Sequence, residues 1–156
     1  MSETATQTNG ATDMRNSNVS KFFKHLGNFD WNQITPADYK PTDDSWKGVS
    51  RRVFVGETGE SPLFHFRYFE VEKGGYTTLE EHDHEHVVFV VRGSGMAIVG
   101  CKHLDMSFGD MLYVSPRDPH QFRNDSSDEP FGFICVVNAV RDRPRQASEA
   151  FCPICE

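Results

Sequence analysis

The chain has 156 residues, 37% of them hydrophobic, with thirteen phenylalanines and a formal charge of −7. That suits one domain with an aromatic core large enough to do without disulfides, and it disfavours a nucleic-acid partner held by phosphate neutralisation. No apolar run approaches the length of a membrane span, and the Ser/Thr/Asn-rich start lacks the apolar segment of a secretory signal. A cytoplasmic location is therefore expected, with the four cysteines serving as thiols or ligands.

Residues 1–18 read as a disordered tail, since nothing in them offsets the entropy of ordering. In residues 19–48, a helix and linker, Val19, Phe22, Phe23 and Leu26 fall at helical spacing. Ser17 or Asn18 is placed to cap that helix and Gly27 to end it. Thr35-Pro36-Ala-Asp reads as one capped turn. From Val49 the period becomes two. Segments 51–55, 63–72, 76–82, 86–92, 95–100, 111–114, 121–123 and 131–138 are short and rich in β-branched and aromatic residues. Gly, Pro, Asp and Ser separate them. Strands at such regular spacing predict an all-β sandwich or closed barrel over residues 49–140. Residues 141–156 form a charged tail ending in Cys152-Pro-Ile-Cys155.

Two blocks carry the chemistry. The first runs from Gly74 through Glu80, His82 and His84 to His86, and the second from Gly109 to His120. Imidazoles and a carboxylate at alternating strand positions, joined by a histidine from another strand, suit a catalytic metal centre. Alone, the run from Glu80 to His86 could be only a solvated charged stretch; the remote His120 argues for a site. Glu80 is read as either a ligand or a base, and His84 as a neighbour or surface residue. By period two, Phe122 shares the face of His120, and Phe131, Phe133, Cys135 and Val137 share one face of the last strand. Cys135 is either a small buried hydrophobe or a pocket thiol. Arg67 is either a bidentate anchor for a substrate carboxylate or a salt-bridge partner.

The two blocks resemble the two motifs of the cupin superfamily, and the likeness spans roughly residues 50–140. Closest are small one-barrel cupins with a histidine at the glutamate position of the first motif. Counting six residues back from Gly93 and five forward from Gly74 sets His86 and Glu80 in the motif frame, with His82 between them. Counted from Gly109, His120 and then Asn124 match the second motif. The resemblance implies a double-stranded β-helix, a jelly-roll-like barrel, whose metal site is Glu80, His82, His86 and His120. Relative to the family pattern, glutamate and histidine have exchanged places. The Phe133/Cys135 face should look into the barrel, making a substrate pocket with Arg67 and Phe122.

The expected cofactor is one divalent transition metal, Fe(II) or Mn(II) ahead of Zn, Ni or Cu. The resemblance implies a small-molecule oxidoreductase, chiefly a dioxygenase. Metal-dependent isomerases, lyases or decarboxylases and a non-catalytic ligand-binding cupin stand beside it, because the fold alone does not choose. A homodimer is expected, since small cupins pair through N-terminal strands and segment 51–55 would otherwise be an open edge. Cys152 and Cys155 have the spacing of half a four-thiolate site, which two tails could complete, or of a redox pair.

Overall fold

A computed structural model describes residues 20–58, 60 and 63–147. Its elements are all strands: β1 (His25–Gly27), β2 (Asp30–Trp31), β3 (Ala37–Asp38), β4 (Lys47–Val55), β5 (Phe64–Tyr76), β6 (Glu80–Glu81), β7 (His86–Arg92), β8 (Ser94–Val99), β9 (Lys102–Ser107), β10 (Met111–Val114), β11 (His120–Asn124), β12 (Phe131–Asn138) and β13 (Arg145–Gln146). Every pairing is antiparallel. The thirteen-residue β5 pairs with β4 and β12 along most of its length and meets β11 at Gly75 and Tyr76. β11 continues into β8 and β9, while β12 continues into β7 and β10. One long strand thus joins two sheet halves, and the all-β expectation holds.

Period two decides what lies inside. Along β7, His86, Val88 and Val90 are buried while Val87 and Phe89 face out. Along β12, Phe131, Phe133, Cys135 and Val137 join one core with Phe69, Val71, Ala97, Met106, Val114 and Phe122. Aromatic rings pack through it, Phe122 tilted against Phe133 at 4.7 Å and Phe69 stacked on Phe133 at 5.6 Å. Gly93, at φ +58, turns β7 into β8 where an added Cβ would meet the Pro130 carbonyl at 2.5 Å.

The N-terminal helix is not formed: among the described residues there is no helix, and β1 and β2 make a hairpin instead. Val19 lies outside the described residues. The apolar stripe was misleading, because Phe22 and Leu26 are 77% and 63% exposed, whereas Phe23 packs edge-on against Phe54. So short a helix has little stability of its own in water. A two-residue turn, with Asn28 and Phe29 both at positive φ, closes the hairpin. Phe29 stacks on Tyr68, Trp31 meets Phe54 and Tyr68, and Arg52 donates to Asp30 at 2.8 Å. Gly132 belongs to this outer layer, since a Cβ there would lie 2.3 Å from the Tyr68 hydroxyl.

Four other expectations change. The stretch read as a capped turn contains β3, which pairs with β4 at Ser50 and Arg51. The strand expected over 76–82 breaks after Tyr76 and resumes as the two-residue β6. β9 was not anticipated, because Leu104 and Met106 alone give too little alternation. After Ala139 the chain does not simply leave the barrel, since β13 pairs with β6.

Candidate metal centre

His82 follows β6, His86 opens β7 and His120 opens β11, opposite Glu80 and Val99. Sheet pairing thus brings residues more than thirty positions apart into one cluster. The three rings lie with centroids 4.7–5.1 Å apart, and one ligand-competent atom from each lies within 4.8 Å of the others. All three are buried, with 2%, 7% and 3% of their surface exposed.

Each ring is aimed by a contact at Nδ1: the His84 carbonyl at 2.7 Å for His82, the Asp118 carbonyl at 2.8 Å for His120, and the Cys135 sulfur at 3.2 Å for His86. An Nδ1–H donated to these acceptors leaves Nε2 as the free lone pair on every ring. The Nε2 of His86 is buried without a hydrogen-bond partner among the described residues. Burial, reinforced by the neighbouring histidines, pushes His86 down to about 2 and His82 to about 4. Burial lowers His120 as well. Three neutral imidazoles with converging lone pairs fit a divalent transition metal.

Glu80 lines the same cavity but is not in that three-residue group. Its carboxylate is ion-paired with Lys40 and accepts from the Tyr39 hydroxyl at 3.5 Å. His84 stacks flat on His82 at 3.6 Å and is tied to Asp142 through Nδ1 at 2.6 Å. Asp142 also accepts the backbone N–H groups of Asp83 and His84, which brace the turn between His82 and His86. Those hydrogen bonds hold its carboxyl well below the usual carboxylate range.

The cavity measures about 200 Å³ and is lined by Phe69, Phe122, Phe133, Cys135 and Arg67 as well as the histidines. Arg67 lies over the Phe69 ring and donates to Cys135 Sγ at 3.2 Å. Burial raises the Cys135 thiol, with Arg67 opposing the shift. Tyr39, Lys40, Arg51, Thr77 and Arg141 also line the cavity, and sequence reasoning missed them. They come from the linker, a strand face and the tail, where no local pattern marks them; a run of basic residues from Arg141 was the sole hint. Cys152 and Cys155 lie outside the described residues. Among the described residues, no helix is long and apolar enough to cross a membrane.

An antiparallel barrel with three buried histidines converging in a side-chain-lined cavity defines a small barrel protein whose histidine cluster could hold a metal ion. Residues 67–137 match the family model for the cupin domain. A 1-methylthio-D-xylulose 5-phosphate methylsulfurylase of Rhodospirillum rubrum is 36% identical over 142 residues, 88% of this chain and 87% of that protein. The crystal structure of a cupin 2 conserved barrel domain protein from Rhodopseudomonas palustris is 36% identical with TM-score 0.74, covering 82% of this chain and 87% of that one. A cupin-2 domain from Rhodospirillum rubrum is 34% identical with TM-score 0.69, covering 85% of each chain. The chain belongs to the cupin family.

Proposed function

We propose that this cupin is a metal-dependent enzyme that breaks a carbon–sulfur bond beside the carbonyl of a small thioether ketose. The carrying observation is the position of Cys135, whose sulfur sits at the cavity wall between His86 Nδ1 and the Arg67 guanidinium. The methylsulfurylase relative supports sulfur chemistry as the first to test. Bound by His82, His86 and His120, with Glu80 as a further donor if it leaves Lys40, a divalent metal, Fe(II) or Mn(II) in our reading, would supply a Lewis acid for the substrate's carbonyl and hydroxyl oxygens.

The chain's own groups then do the following. Two N–H donors at Sγ favour the Cys135 thiolate against the cost of its burial. That thiolate attacks the substrate's sulfur, and an S–S bond forms as the C–S bond breaks. The electron pair of the broken bond delocalises onto the carbonyl as an enolate. The proton given up by the thiol ends on the former sulfur-bearing carbon, carried by Glu80 on the cavity wall. The thiol is oxidised to a mixed methyl disulfide and the ketose is reduced. A low-molecular-weight thiol, the co-reactant, attacks the methyl-bearing sulfur and returns Cys135 to the thiolate. Phe122 and Phe133 keep water from the enolate.

The test supplies a 1-methylthio ketose phosphate to metal-loaded protein without added thiol, and Cys135 is analysed by mass spectrometry. A methylsulfanyl group on Cys135, and none in Cys135→Ser, is expected; product formed by C135S at the wild-type rate would overturn the reading. The second reading, a dioxygenase, is favoured by the three-histidine set, which leaves room at a metal for a chelating substrate and O₂. Uptake of O₂ with turnover selects it.

A further inference from the structure

Besides the histidines, the cavity carries an excess of positive charge. Arg51, Arg67 and Arg141 line it together with Lys40, and among the described residues the one lining carboxylate, Glu80, is taken by Lys40. The sheet builds this arrangement. Arg51 on β4 faces Phe69 of β5, and Val53 faces Arg67, so the two arginines are diagonal neighbours on one face. Arg141 arrives from beyond β12 and is held by the carbonyls of Asn138 and Ala139, at 2.9 and 3.2 Å, and by His65 Nδ1 at 3.4 Å.

These guanidiniums are poorly compensated. Among the described residues, neither Arg67 nor Arg141 forms an ion pair with a carboxylate, and Arg51 has a long 3.7 Å contact to the exposed Glu57. The Nε atoms of Arg51 and Arg67 are buried without a hydrogen-bond partner among the described residues. Leaving such donors unmet is costly, and gathering like charges adds to the cost. The strain on the cluster registers at Arg141, which burial and then the charges of Arg67 and Arg51 push downward. A dianion bound among them removes both costs, since planar guanidiniums match phosphate oxygens in pairs.

We propose that Arg51, Arg67 and Arg141 form the seat for the phosphate monoester of the substrate, in the same cavity as the histidines and with Arg67 beside Cys135. This deepens the proposed function and rests on it for the identity of the rest of the substrate. Arg67 then has two tasks, touching Cys135 with one nitrogen and the anion with others, so seating the phosphate also registers the thioether against the sulfur. Arg51 and Arg141 are specificity residues for the anion alone.

The test uses the metal-loaded full chain and inorganic phosphate as probe. Binding is followed by calorimetry for wild type, Arg51→Gln, Arg141→Gln and the double variant, with metal content measured on each sample. Each single change should weaken phosphate roughly tenfold, the double change should weaken it further, acetate should bind poorly, and metal content should stay at the wild-type level. Phosphate bound equally by the double variant would mean that it sits elsewhere, and would overturn the seat. A measurement on wild type alone guards against misfolded variants: phosphate should protect Arg51, Arg67 and Arg141 from phenylglyoxal, mapped by mass spectrometry, and unprotected arginines would overturn the proposal too. The two readings fail separately. Arginine-dependent phosphate binding without methylsulfanyl transfer to Cys135 leaves the seat and removes the sulfur chemistry; transfer with arginine-independent phosphate binding does the reverse.

Discussion

The sulfur of Cys135 lies 3.2 Å from Nδ1 of His86, on the strand beside it and two residues from Phe133. The thiol therefore orients a metal-competent ring whose opposite nitrogen is buried without a partner among the described residues. Cys135→Ala removes that orienting acceptor. Loss of such a contact lowers metal affinity about 10–100-fold, while Cys135→Ser, which keeps a hydrogen-bond acceptor, should recover most of it. Competition with a chromophoric chelator measures this. Equal affinity in all three proteins would show that His86 is held by packing alone.

Metal content tests the cluster itself. About one divalent ion per chain is expected, with His82→Ala and His120→Ala each losing most of it under mild chelation. His84→Ala should retain the ion, because His84 lies flat against His82 and is turned to Asp142 instead. Emission spectrometry on the purified variants decides it. Full occupancy in a His82/His120 double alanine variant would put the metal elsewhere.

Acid should destabilise the metal-free protein in a defined window. An unfolded imidazole takes its proton near pH 6.5, whereas buried His82 and His86 resist protonation down to about 4 and about 2. The unfolded state therefore binds more protons as pH falls below 6.5, and the stability these histidines contribute is present above that value and lost on the way down. Each contributes a slope approaching about 1.4 kcal/mol per pH unit. Denaturant titrations at pH 7, 6 and 5 measure it; a midpoint that stays level would mean that both rings titrate freely.

Glu80 is paired with Lys40 and Tyr39 on the cavity wall. If it moves the proton, Glu80→Gln lowers turnover by about 10²-fold or more while KM changes little. If it is instead a metal ligand, the same change lowers metal content. Kinetics and metal analysis on one preparation separate the two roles, and wild-type values for both would remove Glu80 from the site.

What the sequence made legible follows from where patterns exist. His82, His86 and His120 stood out because motif glycines and strand period set their frame, and β7 and β12 alternate as cleanly as their residues suggest. Phe133 and Cys135 were placed on the cavity side for the same reason. Tyr39, Lys40 and Arg141 come from segments without regular period, so only the fold brings them to the cavity. Residues 18–27 failed for a different cause. Ten residues hold too few turns to distinguish a helical stripe from a hairpin whose aromatics are divided between solvent and the Tyr68 layer. Cys152 and Cys155 had a spacing and nothing more.

We propose a homodimer, and the fold suggests a particular surface for it. The edge of β4, where a partner is expected, is met by β3 at Ser50 and Arg51 but not at residues 52–55. On the outer face of β7 and β10, by contrast, Val87, Phe89, Met111 and Tyr113 are 36%, 41%, 68% and 52% exposed. Met111 lies directly opposite Phe89 and Tyr113 opposite Val87, so the four form one apolar patch on the sheet surface. A second copy related by a two-fold axis would cover it isologously. Sedimentation at micromolar concentration should give a dimer for wild type and a monomer for Phe89→Asp with Met111→Asp. Because these side chains point away from the cavity, metal content should be unchanged in the monomeric variant. A wild-type protein that sediments as a monomer would end the proposal, and a dimer that survives both substitutions would move it to another face.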